Sequence, residues 1–317
     1  MSAFRRILLL EWSGLAVAIA IGCAALAIFT PNFLTEFNIY VTLRSFCVAL
    51  LVGFAQMVTL GVGQMNISVG ALGGLVAIVF GGVMETYGVP IVLAVPMALV
   101  VGALGGLING FLTVRTGING FIITLATASA FTGINFGITE SIPFYKMPPA
   151  LVAFGEQRIS AFPYLLVAPI IVTALLAVFF TRTVLGRQLL AYGGNPQAAE
   201  LSGIPRERAI VMAHVLSGTL AASAAVLAVA QLGSAQPSIG SDWLLLSFAA
   251  PIIGGAALTG GYISVLGTTF AVILIALIEN GMVLANVDPY WVQFLLGALI
   301  LAAVGLNRWR AIVAGPA

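Results

Sequence analysis

A backbone amide inside hydrocarbon has no water to bind, so a chain built for lipid must be helical or a closed barrel. Apolar runs of about 20 residues, the length that crosses a bilayer, recur along almost all of this sequence. They lie near 13–30, 42–62, 67–84, 89–114, 119–138, 163–181, 209–232, 243–260, 263–285 and 290–306. Membrane strands would alternate in polarity over short segments, whereas these runs are continuous. Only 7% of the chain is charged and 61% is hydrophobic, with a mean hydropathy of +1.15; a soluble domain carries about a quarter charged residues. The expected fold is therefore an all-α polytopic membrane protein with about ten transmembrane helices, one domain over residues 1–317. The third and eighth runs are Gly-rich and follow polar clusters. Broken or short helices are expected there, which membranes tolerate where the break lines a cavity or is buried in protein.

Arg5 and Arg6 precede the first run, as in a secretory signal. The run ends in Thr30-Pro31-Asn32-Phe33 rather than in a small-residue cleavage site, and it reads as a retained helix. With a cytoplasmic N-terminus, Arg5, Arg6, Arg115, Arg182, Arg187, Arg206, Arg208, Arg308 and Arg310 fall inside, leaving only Arg44, Lys146 and Arg158 elsewhere. That bias fixes the orientation and puts both termini in the cytoplasm. Two longer connections remain. One, about 139–162, is periplasmic and proline-bearing; the other, about 182–208, is cytoplasmic and holds four arginines.

The chain also echoes itself. Asn109-Gly110 recurs as Asn280-Gly281, and Asn66-Ile67-Ser68-Val69-Gly70 is loosely matched by Pro237-Ser238-Ile239-Gly240. The copies stand five runs apart and so point in opposite directions, which predicts a 5+5 inverted repeat with the substrate path near its interface.

Catalytic material is scarce. There is no Walker phosphate loop, no metal-ligand spacing, and one histidine, His214. Cys23 and Cys47 lie inside apolar runs and read as buried thiols. No cofactor is expected in this chain, and a net charge of +2 calls for no nucleic acid. Acids inside a membrane are costly and tend to be functional. Glu279 is the main one; a structural hydrogen-bonding role and a place in the substrate vestibule both stay open. The scarcity of deep acids argues against proton coupling and against an ion channel. Neutral polar groups are better supplied: Gln64, Asn66 and Ser68; Thr124, Thr127, Ser129, Thr132 and Asn135; Gln231, Gln236 and Ser238. Amides and hydroxyls can exchange hydrogen bonds with a hydroxyl-rich cargo. They can equally well tie helices together.

Specific strings narrow the reading. Gly63-Gln64-Met65-Asn66-Ile67-Ser68-Val69-Gly70 resembles the G-G-I-D-L-S-V-G signature of ribose-type ABC importer permeases, in the superfamily of branched-chain amino acid and ribose permeases. Asn109-Gly110 followed by Phe121-Ile122-Ile123-Thr124-Leu125-Ala126-Thr127 is similar to their N-G…F-I-A-T-L-A-T segment. Leu185-Gly186-Arg187, Tyr192-Gly193-Gly194-Asn195 and Leu201-Ser202-Gly203-Ile204 resemble their cytoplasmic loop, and Ile253-Gly254-Gly255-Ala256 with Leu258-Thr259-Gly260-Gly261 follows in order.

The resemblance implies a non-enzymatic permease subunit in the bacterial inner membrane. It implies ATP-binding-cassette ATPase partners that hold ATP and Mg, a periplasmic substrate-binding protein, and a second permease chain, identical or different. It places coupling to the ATPase on Gly186, Arg187, Tyr192, Gly193, Gly194, Asn195, Ala199, Leu201, Ser202 and Gly203. The expected translocation path is Gln64, Asn66, Ser68, Phe121, Thr124, Asn135, Gln236, Ser238, Glu279 and Asn280. Asn195 before Pro196 could cap a short helix in the loop. The sequence departs from the signature where Asn66 replaces its acid and Gln64-Met65 its small residues, which could mark a heteromeric permease. The expected cargo is a neutral monosaccharide or polyol. A nucleoside, an autoinducer sugar or a branched-chain amino acid are alternatives within the class, and a stand-alone carrier or a scaffold lies outside it.

Overall fold

The computed structural model describes residues 13–288 and 291–313. Arg5, Arg6 and Tyr290, where the last apolar run begins, lie outside the described residues. The first half of the chain forms α1 (Ser13–Phe29), α2 (Glu36–Gly61), α3 (Val69–Tyr87), α4 (Ile91–Thr116) and α5 (Gly120–Thr139). Between the halves come α6 (Pro149–Glu156), the two-stranded hairpin β1 (Arg158–Ile159) and β2 (Phe162–Pro163), α7 (Val167–Arg182), α8 (Val184–Gly194) and α9 (Pro196–Leu201). The chain then forms α10 (Arg206–Leu232), α11 (Trp243–Ile253), α12 (Val265–Leu284) and α13 (Trp291–Val313). Every predicted apolar run carries a helix. Among the described residues seven helices are long and apolar enough to cross a membrane, α7 being counted with the short helical turn that opens it at Tyr164; α1, α11 and the Trp291–Ala302 stretch of α13 are shorter. The fold is a polytopic all-α membrane protein.

Local chemistry sets the boundaries. The side chain of Thr35 accepts from the Asn38 amide at 3.3 Å and Glu36 occupies the first turn, so α2 starts earlier than its apolar run. The third run is not broken, but α3 begins only at Val69. Just before it, Asn66 Oδ1 accepts from the Ser68 amide at 3.0 Å, a side-chain turn that competes with helix. The eighth run does break: α11 stops at Ile253, and Gly255 turns the chain at φ +92°. The cytoplasmic connection expected near 182–208 is largely helical, as α8 and α9. In the other connection Pro148 and Pro149 open α6 at its cap and first position, where a missing amide costs nothing.

The core is built around α2 and α10. Helices in lipid gain nothing from the hydrophobic effect on pairing, so close packing must hold them. Here α10 lies against α4 with almost no side chain between: a Cβ on Gly106 would collide with the His214 carbonyl oxygen, and one on Gly218 with that of Gly102. Val92, Leu93, Ile170 and Leu175 leave apolar outer surfaces exposed on α4 and α7.

The two halves share a packing order. α10 packs on α4 and α3 as α2 packs on α12 and α11, and α3 meets α5 as α11 meets α13. Gly70 and Gly240, aligned by the sequence echo, touch reciprocally, each where the other's Cβ would stand. α1 breaks the pattern by packing on α12, in the opposite half.

Between α10 and α11 the chain is irregular, a bridge residue followed by successive turns, and it runs down a glycine face of α3. Ala235 lies against Gly81, Ile239 against Gly74 and Gly240 against Gly70. Gly106→Val should push α4 off α10 and lower the thermal midpoint of the solubilised protein by about 3–10 °C, from an overpacking cost of about 1–3 kcal/mol. Gly133→Ala, where a Cβ meets nothing within 4 Å, should leave the midpoint unchanged.

Candidate functional site

Two adjoining clefts open at the end of the bundle predicted to face outward. One, of about 490 Å³, is lined by Thr35, Asn38, Thr42, Ser45, Glu279 and Asn280, among others. The second, of about 540 Å³, is lined by Ser45, Gln231, Gln236, Ser238, Ser241, Asp242, Trp243 and Glu279 among others. Ser45 and Glu279 belong to both walls. Four of the predicted path residues therefore meet here: Gln236 and Ser238 from the connection between α10 and α11, and Glu279 and Asn280 from α12. Asn280 is tied to α2 by a reciprocal amide pair. Asn38 Nδ2 donates to Asn280 Oδ1 at 3.0 Å, and Asn280 Nδ2 donates to Asn38 Oδ1 at 2.7 Å. Gln236 Nε2 donates to Ser234 Oγ at 3.2 Å.

Asn66, Ser68 and Thr124 lie elsewhere, in a buried polar knot. Asn66 Nδ2 donates to Ser217 Oγ at 2.9 Å, and Ser68 Oγ donates to Asn66 Oδ1 at 2.7 Å. Asn109 Nδ2 donates to Ser68 Oγ at 2.7 Å, and Thr127 Oγ1 to Asn109 Oδ1 at 2.6 Å. The Ile67 amide donates to Thr124 Oγ1 at 3.0 Å. Gln56, with its amide nitrogen towards Asn66, donates to the Asn66 carbonyl at 2.8 Å. Asn66, Ser68, Asn109, Thr124, Gln56 and Ser217 have no exposed surface, so in this conformation they hold α2, α4, α5 and α10 to the turn before α3. Asn66 uses both its nitrogen and its oxygen, which gives the residue that departs from the family signature a full set of partners. Buried polar groups left unpaired would each cost about 1–3 kcal/mol.

The remaining predicted path residues divide. Asn135 Nδ2 donates to the Pro237 carbonyl at 2.9 Å and braces the connection between α10 and α11. Gln64 sits against Gly120 with its buried Oε1 unpartnered among the described residues; both ring nitrogens of buried His214 are likewise unpartnered. Phe121, at the start of α5, is exposed.

At the opposite end, the expected coupling residues gather on α8 and α9. Thr183 Oγ1 accepts from the Gly186 amide at 3.0 Å, and Gly186 has no room for a Cβ beside the Phe179 carbonyl. Arg187 Nη1 donates back to the Arg182 carbonyl at 3.3 Å. Tyr192 is buried; burial pushes its phenol above the ordinary range, and the Arg206 guanidinium partly offsets this. Asn195 Oδ1 accepts from the Ala198 amide at 3.0 Å and caps α9, with Pro196 at its first position. Ala199 is buried beneath, Ser202 Oγ donates to the Ala198 carbonyl at 2.8 Å, and Gly203 reverses the chain at φ +83°. Leu201 is 91% exposed on this rim.

The end of α8 is clasped by bare backbone. A Cβ on Gly193 would collide with the Gly61 carbonyl oxygen at the end of α2, which also accepts from the Gly261 amide at 3.0 Å. A Cβ on Gly260 would stand 2.6 Å from the Gly63 amide nitrogen. Gly194 is looser, with its nearest neighbour, Gly261 Cα, 3.7 Å from a built Cβ. Sequence reasoning had no signal for Gly61, and it overlooked Asp242, a second acid in an acid-poor chain at the start of α11.

Residues 29–304 match the sequence profile of the branched-chain amino acid transport system / permease component family. The chain belongs to that family. It is 32% identical to the fructose import permease protein of Rhizobium meliloti, over 89% of this chain and 81% of that one. It is 33% identical to the D-allose transport system permease protein of Escherichia coli K12, over 87% and 85%. It is 32% identical to the ribose import permease protein of Bacillus subtilis, over 90% and 89%. No solved structure matches it. The chain is a permease component, a transport subunit and not an enzyme.

Asn66→Ala should strand the partners of Asn66 and cost about 2–4 kcal/mol of stability, read as a lower thermal midpoint. Asn66→Asp should cost less, because the Ser217 hydroxyl can turn from acceptor to donor.

Proposed function

We propose that this chain is the membrane subunit of an ATP-binding-cassette importer and moves a neutral monosaccharide or related polyol across the bacterial inner membrane. The observation that carries the cargo class is the paired cleft, walled by the hydroxyls and amides of Asn38, Thr42, Ser45, Gln236, Ser238 and Asn280. These groups offer donors and acceptors in the mixture that sugar hydroxyls need. The names of the fructose, allose and ribose relatives support the same class.

In this reading the bundle makes ten crossings in two inverted halves, with both termini cytoplasmic. The reciprocal Gly70–Gly240 contact supports that symmetry, since equivalent atoms meet only on the axis relating the halves. A loaded periplasmic binding protein docks over the clefts, and a second permease chain, identical or different, completes the pore. Two ATPase subunits hold ATP and Mg and receive α8 and α9. ATP-driven closure of the ATPases moves these helices. Their motion passes through the glycine clasp to α2 and to the loop joining α11 and α12. The other ends of those helices carry Asp242, Glu279 and Asn280, so the clefts close outward as the path opens inward.

Reconstituted with its ATPase, the permease should take up one of a panel of labelled neutral sugars (ribose, allose and fructose among them) only with ATP. Uptake without an ATPase subunit, or of branched-chain amino acids alone, would overturn this reading. Gly193→Val should reduce uptake about tenfold or more while ATP hydrolysis continues, because the clasp must open to admit the side chain. Gly194→Ala, in ordinary contact, should transport like the parent.

A further inference from the structure

The 540 Å³ cleft has a feature that the importer reading does not use: two carboxylates, Asp242 and Glu279, on the same walls. They come from different elements, the start of α11 and the far end of α12. Asp242 is exposed and occupies the cap position of α11, yet its side chain makes no capping bond. Among the described residues lining either cleft there is no lysine, arginine or histidine. Arg44, next to the cleft residue Ser45, is not itself a lining residue: behind the wall its Nη2 donates to the carbonyl of the lining residue Gln231 at 2.6 Å, and its guanidinium lies 5.3 Å from the Tyr40 ring centroid.

We propose that Asp242 and Glu279 act together as a charge filter that repels anionic cargo from the cleft and leaves it open to uncharged, hydroxyl-bearing molecules. This rests on the importer reading, and it adds a specificity that amides and hydroxyls alone lack. Sugar phosphates and sugar acids offer the same hydroxyl pattern as neutral sugars and would enter an uncharged cleft. Protein walls screen charge less than bulk water does, so two carboxylates without an ion-pair partner among the described residues raise the cost of a third negative charge between them. A neutral sugar keeps the use of both as hydrogen-bond acceptors.

The test reads the local potential with charged thiol reagents and requires no knowledge of the cargo. The full-length chain, with Cys23→Ser and Cys47→Ala, is placed in lipid nanodiscs without its ATPase subunits, which leaves α9 uncovered. Ser238→Cys supplies a thiol in the cleft and Gln197→Cys one on the exposed surface of α9. Each is reacted with a cationic and an anionic methanethiosulfonate at low salt. Taking the ratio of the two rates cancels the reactivity of the thiol itself.

The cation-to-anion ratio at Ser238→Cys should exceed that at Gln197→Cys by about tenfold or more. It should fall to within about twofold in the Asp242→Asn/Glu279→Gln chain. Both replacements keep shape and hydrogen-bonding capacity, so their failure to fold is not expected. Equal ratios at the two sites would overturn the filter, as would a Ser238→Cys thiol that neither reagent reaches, or a ratio that survives neutralisation. The filter can fail while ATP-dependent sugar uptake stands, and uptake can fail while the ratio stands, so the two readings are separable.

Discussion

The irregular stretch from Gly233 to Asp242 packs along α3 without a helix's own hydrogen bonds, and its backbone must still be satisfied. It manages this by local turns and by borrowed partners. The Ala235 amide and carbonyl pair with Phe144, Asn135 takes the Pro237 carbonyl, and Gln236 and Ser238 carbonyls accept from Ile239 and Ser241 amides. The glycine face of α3 lets the stretch lie close enough to be buried as well as bonded. The cleft depends on this arrangement, because the stretch presents Gln236, Ser238 and Asp242 together in irregular conformation, and a continuous helix would turn Gln236 away from the other two.

The polar residues of the chain thus serve two purposes that composition cannot separate. Those around Asn66 bond to one another and hold the turn ahead of α3 against α4, α5 and α10. Those around Glu279 face open volume. The distinction is exposure rather than partner count: Asn66 has no exposed surface, whereas Ser238 is exposed on a cleft wall, and Asn280 lines a cleft even with its amide paired to Asn38.

The glycine clasp joins these parts mechanically. Backbone packed on backbone is stiff, since no side chain intervenes to change rotamer and absorb a displacement. Gly193 against Gly61 and Gly260 against Gly63 bring the end of α8 onto α2 and onto the loop leading into α12. A displacement of α8 therefore reaches α12, whose far end is pinned to α2 by the Asn38–Asn280 pair.

The sequence by itself determined the helices, the cap of α9 and the family, because each is a local matter: an apolar run of bilayer length, Asn195 before Pro196, short strings in order. It did not locate the true start of α3 or reveal that α8 is a helix, since side-chain turns and amphipathic surface pieces leave weak traces in so apolar a chain. Only the tertiary structure decided that Asn66 is buried and bonded while Glu279 joins Asp242 across a cleft. The reason is the solvent. In water, hydrophobic periodicity marks the buried face of a helix; in lipid, the outer face and the core are both apolar. The pattern that would sort inward from outward residues is erased, and contact between distant segments has to supply it.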